Sequence, residues 1–195
     1  MKLFINAVCI LVLAAGCNYT PERQVASKTQ KVSVVDTTSY VNADSILKAQ
    51  LLNYYTIYNS GDIDSALSLM YPGMFLYLKM EDPEGYEQNL DEIKAGLKLV
   101  ADDMEQYELE YNTTINTVIK DIVKRVEYKS DKLYVVVSSM ESKQGLNEIN
   151  VGQEIIAISV DNGENWKFMQ KDPDLTPEIL RMSYPIEVIN KLMYK

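Results

Sequence analysis

Leu51 to Phe75 reads LLNYYTIYNSGDIDSALSLMYPGMF, and the breaks inside it decide how the chain folds. Leu47, Leu51, Tyr54, Tyr55 and Tyr58 recur at helical spacing, so the stretch opens within a helix that Asn42 or Asp44 caps. Asn59-Ser60-Gly61 stops it, because glycine accepts the left-handed backbone that ends helices. Asp62 then opens a shorter helix with Ile63, Ala66, Leu67 and Met70 at i, i+3, i+4 and i+7. Tyr71-Pro72-Gly73 closes that helix.

Downstream, Asp82-Pro83 starts the longest helix, whose stripe Tyr86, Leu90, Ile93, Leu97, Val100 and Met104 buries one narrow face. After Met104 the period turns to two: Tyr107, Leu109 and Tyr111 alternate with Glu108 and Glu110, which predicts a strand. Further strands are expected over 120–129 and 132–140, the latter apolar on both faces at Val135-Val136-Val137. A last hairpin, 153–160 with 165–171, turns at Asp161-Asn162-Gly163. Short helices follow at Thr176-Pro177 and at Pro185. Helices first, a strand meander next and helices again predict an α+β fold with an antiparallel sheet.

The Leu51–Phe75 stretch resembles the opening of the nuclear-transport-factor-two-like superfamily, which includes SnoaL-like and ketosteroid-isomerase-like proteins. The resemblance extends over about residues 43 to 172 and includes Trp166-Lys167-Phe168. It implies an aromatic strand after Tyr71-Pro72, and a curved antiparallel sheet wrapped like a cone around the long helix, with an apolar pocket inside. It also leaves homodimerisation through the sheet open. A second, local resemblance is to the Asp-box of sialidase propellers: Ser159, Asp161, Gly163 and Trp166 fit Ser-x-Asp-x-Gly-x-x-Trp. One copy makes no propeller, so Asp161 and Gly163 are read as a structural turn.

The N-terminus is read as an address. Lys2 precedes an apolar run, Leu3 to Ala15 broken only by Asn6, which is too short to span a bilayer. Leu13-Ala14-Ala15-Gly16-Cys17 resembles a bacterial lipobox, which implies lipidation at Cys17, although Ala14 stands where leucine is commonest. The expected organisation is a lipoprotein signal peptide over 1–17, a flexible tether over 18–42 and one domain over 43–195. Acyl chains contribute about 0.8 kcal/mol per buried methylene, so two or more hold a protein at the membrane. No acidic run follows Cys17, which favours the periplasmic side of the cell envelope.

Composition removes several classes of function. The 195 residues carry 28 acids against 19 bases, a net charge of −9, which disfavours nucleic acid. There is no histidine, so Ser-His-Asp hydrolysis and histidine-ligated zinc are excluded. Both cysteines, Cys9 and Cys17, lie in the leader, which leaves the body without a thiol nucleophile. Carboxylates near the long helix ends (Glu81, Asp82, Glu84; Asp102, Asp103, Glu105) read as helix electrostatics and solvated surface, and Asp62 as an N-cap, not as metal ligands. No cofactor and no catalytic residue are assigned.

Tyrosine is the distinctive resource, with 14 copies. A ring that pairs apolar area with one hydroxyl suits a pocket for a mixed ligand. The candidates for such a pocket are Tyr54, Tyr58, Phe75, Tyr77, Tyr107 and Trp166. The leading expectation is a lipid-anchored, non-catalytic envelope protein that binds a small ligand or a protein partner through a tyrosine-rich pocket or a sheet face. An isomerase- or dehydratase-like enzyme using Asp or Glu with Tyr, and a structural scaffold lipoprotein, stay open beside it.

Overall fold

The computed structural model describes residues 37–144 and 147–194. The signal peptide, Cys17 and most of the expected tether lie outside the described residues. The first helix, α1, spans Thr37–Asn59 and so begins inside the expected tether. Thr37, Thr38 and Ser39 are residue types that start helices. Asp44 caps nothing and instead receives Arg125 Nη2 at 2.6 Å and Nε at 3.2 Å.

At the other end, Gly61 takes φ +74° and donates its N–H to Tyr58 O at 3.1 Å. Asp62 then caps α2, Ile63–Leu69, by accepting Ser65 N at 3.2 Å. The Ser65 hydroxyl, and then that backbone N–H, hold the Asp62 carboxyl below the usual carboxylate range.

The aromatic strand expected at Phe75 is a helix, α3, Pro72–Glu81. Pro72 occupies a first-turn position, where its fixed φ suits a helix and its missing N–H costs nothing. Nothing from Gly73 to Glu81 is β-branched, so local preference agrees. Met74, Tyr77 and Leu78 share the inward face at i, i+3 and i+4.

The longest helix, α4, spans Tyr86–Tyr111. Before it, Asp82 spends its carboxylate on Gly85 N, 2.9 Å, and Asn89 Nδ2, 3.1 Å. The expected strand at Tyr107–Tyr111 is the last turn of this helix. Tyr107 and Tyr111 sit four residues apart with ring centroids 4.6 Å from each other, while Leu109 is 76% exposed on the far side. Asn112, at φ +47°, ends it.

Four strands follow: β1 Asn116–Tyr128, β2 Asp131–Gln144, β3 Asn147–Ser159 and β4 Lys167–Gln170. They form one open antiparallel sheet in the order β1-β2-β3-β4. The C-terminal helices are α5, Leu175–Arg181, and α6, Ile186–Met193. The protein is therefore α+β with an antiparallel sheet, helices first and strands after.

Both faces of the sheet are covered. Leu47, Leu51 and Tyr55 of α1 pack on Tyr134, Val136, Ile155 and Phe168. On the opposite face Leu133, Val135, Ile156 and Ile158 meet Leu180, Ile189 and Leu192 of α5 and α6. Adjacent residues of β2 thus serve different cores, which accounts for its unbroken apolar run. The helix laid along the sheet is α1, whereas the cone reading puts the longest helix there. The stripe of α4 is narrow, and its Leu97 and Val100 meet Tyr58 of α1 and Ala66 of α2 in a third cluster.

Candidate functional site

Helical spacing puts Tyr54 and Tyr58 one turn apart on α1 and aims Tyr55 at the sheet. Tyr54 stacks on Tyr58 with centroids 6.3 Å apart and leans on Phe168 at 5.5 Å. The Tyr55 hydroxyl reaches β2, 2.9 Å from Ser138 Oγ, and accepts Gln153 Nε2 of β3 at 2.6 Å. Burial pushes the Tyr55 phenol up to about 12, against the opposing bond to Ser138. Burial, then the neighbouring Tyr55, pushes Tyr58 to about 12 as well. Tyr54 is raised further still, first by burial.

These rings fill the space between α1 and the sheet. Tyr58 is 7% exposed, and its hydroxyl is buried without a hydrogen-bond partner. The Asn59 Oδ1 and Thr117 Oγ1 atoms share that condition. Leaving such an atom unpaired costs about 1–3 kcal/mol. Two shallow depressions of about 400 and 440 Å³ lie elsewhere, one beside Asp62, Asp64, Lys94 and Lys98, the other beside Asn112, Thr113 and Glu141.

The expected pocket residues are dispersed. Tyr54, Tyr58 and Trp166 belong to the layer between α1 and the sheet and its border with α4. Trp166 is 1% exposed, leans on Tyr134 at 4.9 Å and donates Nε1–H to Gly163 O at 3.0 Å. Tyr77 packs against the opposite core, where its hydroxyl donates to Glu178 Oε2 of α5 at 2.7 Å. That bond raises the Tyr77 phenol to about 12. Phe75 is half-buried on α3, and Tyr107 pairs with Tyr111 at the end of α4. Sequence reading missed Ser138 and Gln153, because only the strand register brings them opposite one another and under Tyr55.

The Asp161 turn is built as a closed hydrogen-bonded unit. The Ser159 hydroxyl donates to Asp161 Oδ1 at 2.7 Å and accepts Gly163 N at 2.8 Å. Asp161 also accepts Asn165 N, 2.9 Å, and Asn165 Nδ2, 2.7 Å. The backbone N–H of Asn165, then the Ser159 hydroxyl, lowers the Asp161 carboxyl to about 2. Gly163 stands at φ +96°, and a Cβ there would come within 2.9 Å of Ala43 Cβ. Gln50 of α1 locks the unit down, accepting Trp166 N and donating to Glu164 O, both at 2.8 Å. The Ser159, Asp161 and Asn165 side chains are thus spent on the turn itself, and Gln50 ties it to α1.

The two free edges of the sheet differ. Along β1 the register slips between Ile119 and Asp121 and again between Ile122 and Lys124. There Ile122 N donates to Asp121 Oδ1 at 2.7 Å, and Ile122 O accepts Arg125 Nη1 at 3.1 Å. Bulges and charged side chains of this kind blunt an edge. On the other side β4 pairs with Ile155–Ile158 of β3, Lys171 N extends that ladder by one bond to Glu154 O at 2.9 Å, and the outer side of β4 meets a bridge at Met70, with Tyr71 N donating to Phe168 O at 2.8 Å. Among the described residues nothing pairs with the outer edge of β3 over 147–153.

Among the described residues no group of three or more acids is arranged to hold a metal ion, and no helix is long and apolar enough to cross a membrane. In comparisons with known proteins the chain matches no family model, no curated protein and no solved structure.

Proposed function

We propose that the chain is a lipid-anchored protein of the bacterial cell envelope whose folded domain binds a protein partner and performs no chemistry of its own. The observation that carries this reading is the sheet: helices pack on both faces and one edge is blunted, while among the described residues half of the β3 edge stands unpaired. Unpaired backbone groups in a row are a template for another chain. The apolar leader ending at Cys17 supports the anchor. Tyr55 and Tyr58 are buried among the packed residues of α1, the sheet and α4, and Tyr55 spends its hydroxyl on Ser138 and Gln153, which suits packing.

A photoreactive residue at Val151, Leu76 or Val160, all exposed, tests the binding half in the membrane-anchored chain. The expected result is a discrete protein adduct from at least one position. Absence of adducts at all three, with the chain present in the membrane fraction, refutes partner binding. Cys17→Ala is expected to abolish acyl labelling, and equal labelling of both chains refutes the anchor.

One observation favours the enzyme reading. Tyr77 and Glu178 form a carboxylate–phenol pair at 2.7 Å. Glu178→Gln would then abolish turnover of an enolisable ketone substrate and leave the melting temperature within a few degrees.

A further inference from the structure

The chain passes from α4 to β1 through Asn112-Thr113-Thr114-Ile115, a turn fastened from within. Thr113 N donates to Glu108 O at 3.1 Å, and Ile115 N donates to the Glu108 carboxylate. The Thr113 hydroxyl lies 2.8 Å from Ser142 Oγ of β2, which is itself buried. Asn112 stands at φ +47°, a left-handed conformation that asparagine adopts more readily than most side chains. Two side chains take no part in this fastening. Asn112 and Thr114 are both exposed, and neither the Asn112 carboxamide nor the Thr114 hydroxyl hydrogen-bonds another described residue. They flank the depression of about 440 Å³ that Thr113, Asn116 and Glu141 complete.

The spacing of these two residues has a chemical meaning. Asparagine with threonine two places on, and no proline between them, is the acceptor sequence for N-linked glycans on surface loops of exported chains. A buried or hydrogen-bonded carboxamide would have to be released before it could react. That of Asn112 already faces solvent, and a sugar on it displaces no contact. The middle residue, whose side chain the acceptor sequence leaves open, is the one that anchors the turn. A second match, Asn18-Tyr19-Thr20, lies outside the described residues.

We propose that Asn112 is an N-glycosylation site, modified after export, with Thr114 as the residue that the glycan transferase reads. The donor is a glycan carried on a polyprenyl diphosphate. In the transfer the bond from sugar C1 to the diphosphate oxygen breaks and C1 bonds Asn112 Nδ2. The amide gives up one proton as the lipid diphosphate leaves. Such a site requires the export proposed above and goes beyond partner binding.

The test takes the chain from the membrane fraction of its own host and weighs the tryptic peptide Leu99–Lys120. That peptide is expected to be heavier by at least one sugar residue, with fragmentation placing the added mass on Asn112. Asn112→Gly keeps a left-handed helix end, which glycine favours, and is expected to lose the added mass. Thr114→Ala is expected to lose it too with Asn112 intact, whereas Thr114→Ser retains it. Should Asn112→Gly misfold, the two threonine variants still decide.

A wild-type peptide found only at its plain mass, in chains acyl-labelled at Cys17, overturns the glycan and leaves the anchor standing. Added mass that persists in Thr114→Ala, or that sits on a threonine hydroxyl, is another chemistry and overturns the proposal. A glycan at Asn18 alone has the same consequence. Chains with neither acyl group nor glycan refute the envelope reading, and the site falls with it.

Discussion

Tyr55 and Tyr58 are one turn apart on the same helix, and opposite consequences follow from removing their hydroxyls. Tyr55 bonds Ser138 and Gln153, so Tyr55→Phe strands two partners and is expected to cost about 1–3 kcal/mol. Tyr58 bonds nothing, so Tyr58→Phe is expected to be neutral or stabilising by up to about 1 kcal/mol. Urea melts of the two variants check the contrast, and a loss at Tyr58 as large as that at Tyr55 contradicts it. At the turn, Gly163→Val meets both φ +96° and the Ala43 methyl, so a loss of about 1–3 kcal/mol or more is expected. Asp161 gives a pH signature. Its folded carboxyl sits near 2, below that of an aspartate in an unfolded chain, so it stabilises the fold above pH 4 and loses that contribution as pH falls toward 2. Asp161→Asn is expected to flatten the stability profile across that window, measured by thermal melts from pH 5 to 2.

Elements with a sharp local signal were legible in the sequence. The α1 and α2 junction announced itself through Gly61 and Asp62, and the last hairpin through Asn162-Gly163, both at positive φ. The errors fall where two periods fit the same residues. Phe75 and Tyr77 satisfy period two, yet Met74, Tyr77 and Leu78 satisfy the helix as well, and Pro72 at the first turn decides for the helix. Tyr107, Leu109 and Tyr111 alternate, yet the i,i+4 pair of tyrosines continues α4. Leu109→Glu tests that assignment: on the exposed side of a helix it is expected to change stability by less than about 0.5 kcal/mol. A loss of 2 kcal/mol or more would restore a buried strand. The site was less legible, because Ser138, Gln153 and the β3 edge left unpaired among the described residues depend on register and on where β4 stops. Neither leaves a trace in local spacing.

The molecule as a whole hangs on β2, which supplies adjacent side chains to opposite cores. Leu133→Ala opens the α5–α6 side and Leu51→Ala the α1 side, each expected to cost about 2–5 kcal/mol. Because one sheet joins the two layers, both variants are expected to melt in a single transition at the same midpoint by tryptophan fluorescence and far-ultraviolet circular dichroism. Separate midpoints would mean that the layers fold independently.

The double bond from Gln50 to the hairpin loop has a consequence in time. Its partners, Glu164 and Trp166, lie 114 and 116 residues later, and those of Tyr55 lie 83 and 98 residues later. At about 5–20 residues per second, the face of α1 that carries Leu47, Leu51 and Tyr55 leaves the ribosome on the order of ten seconds before the β3 and β4 residues that cover it exist. Long-range closure of this kind also slows folding once the chain is complete. A nascent chain arrested before Ser159 is therefore expected to stay fully protease-sensitive at α1, and one extended past Gln170 to resist. Such delay keeps the chain threadable until its last strand is made, which is what the export proposed above would require.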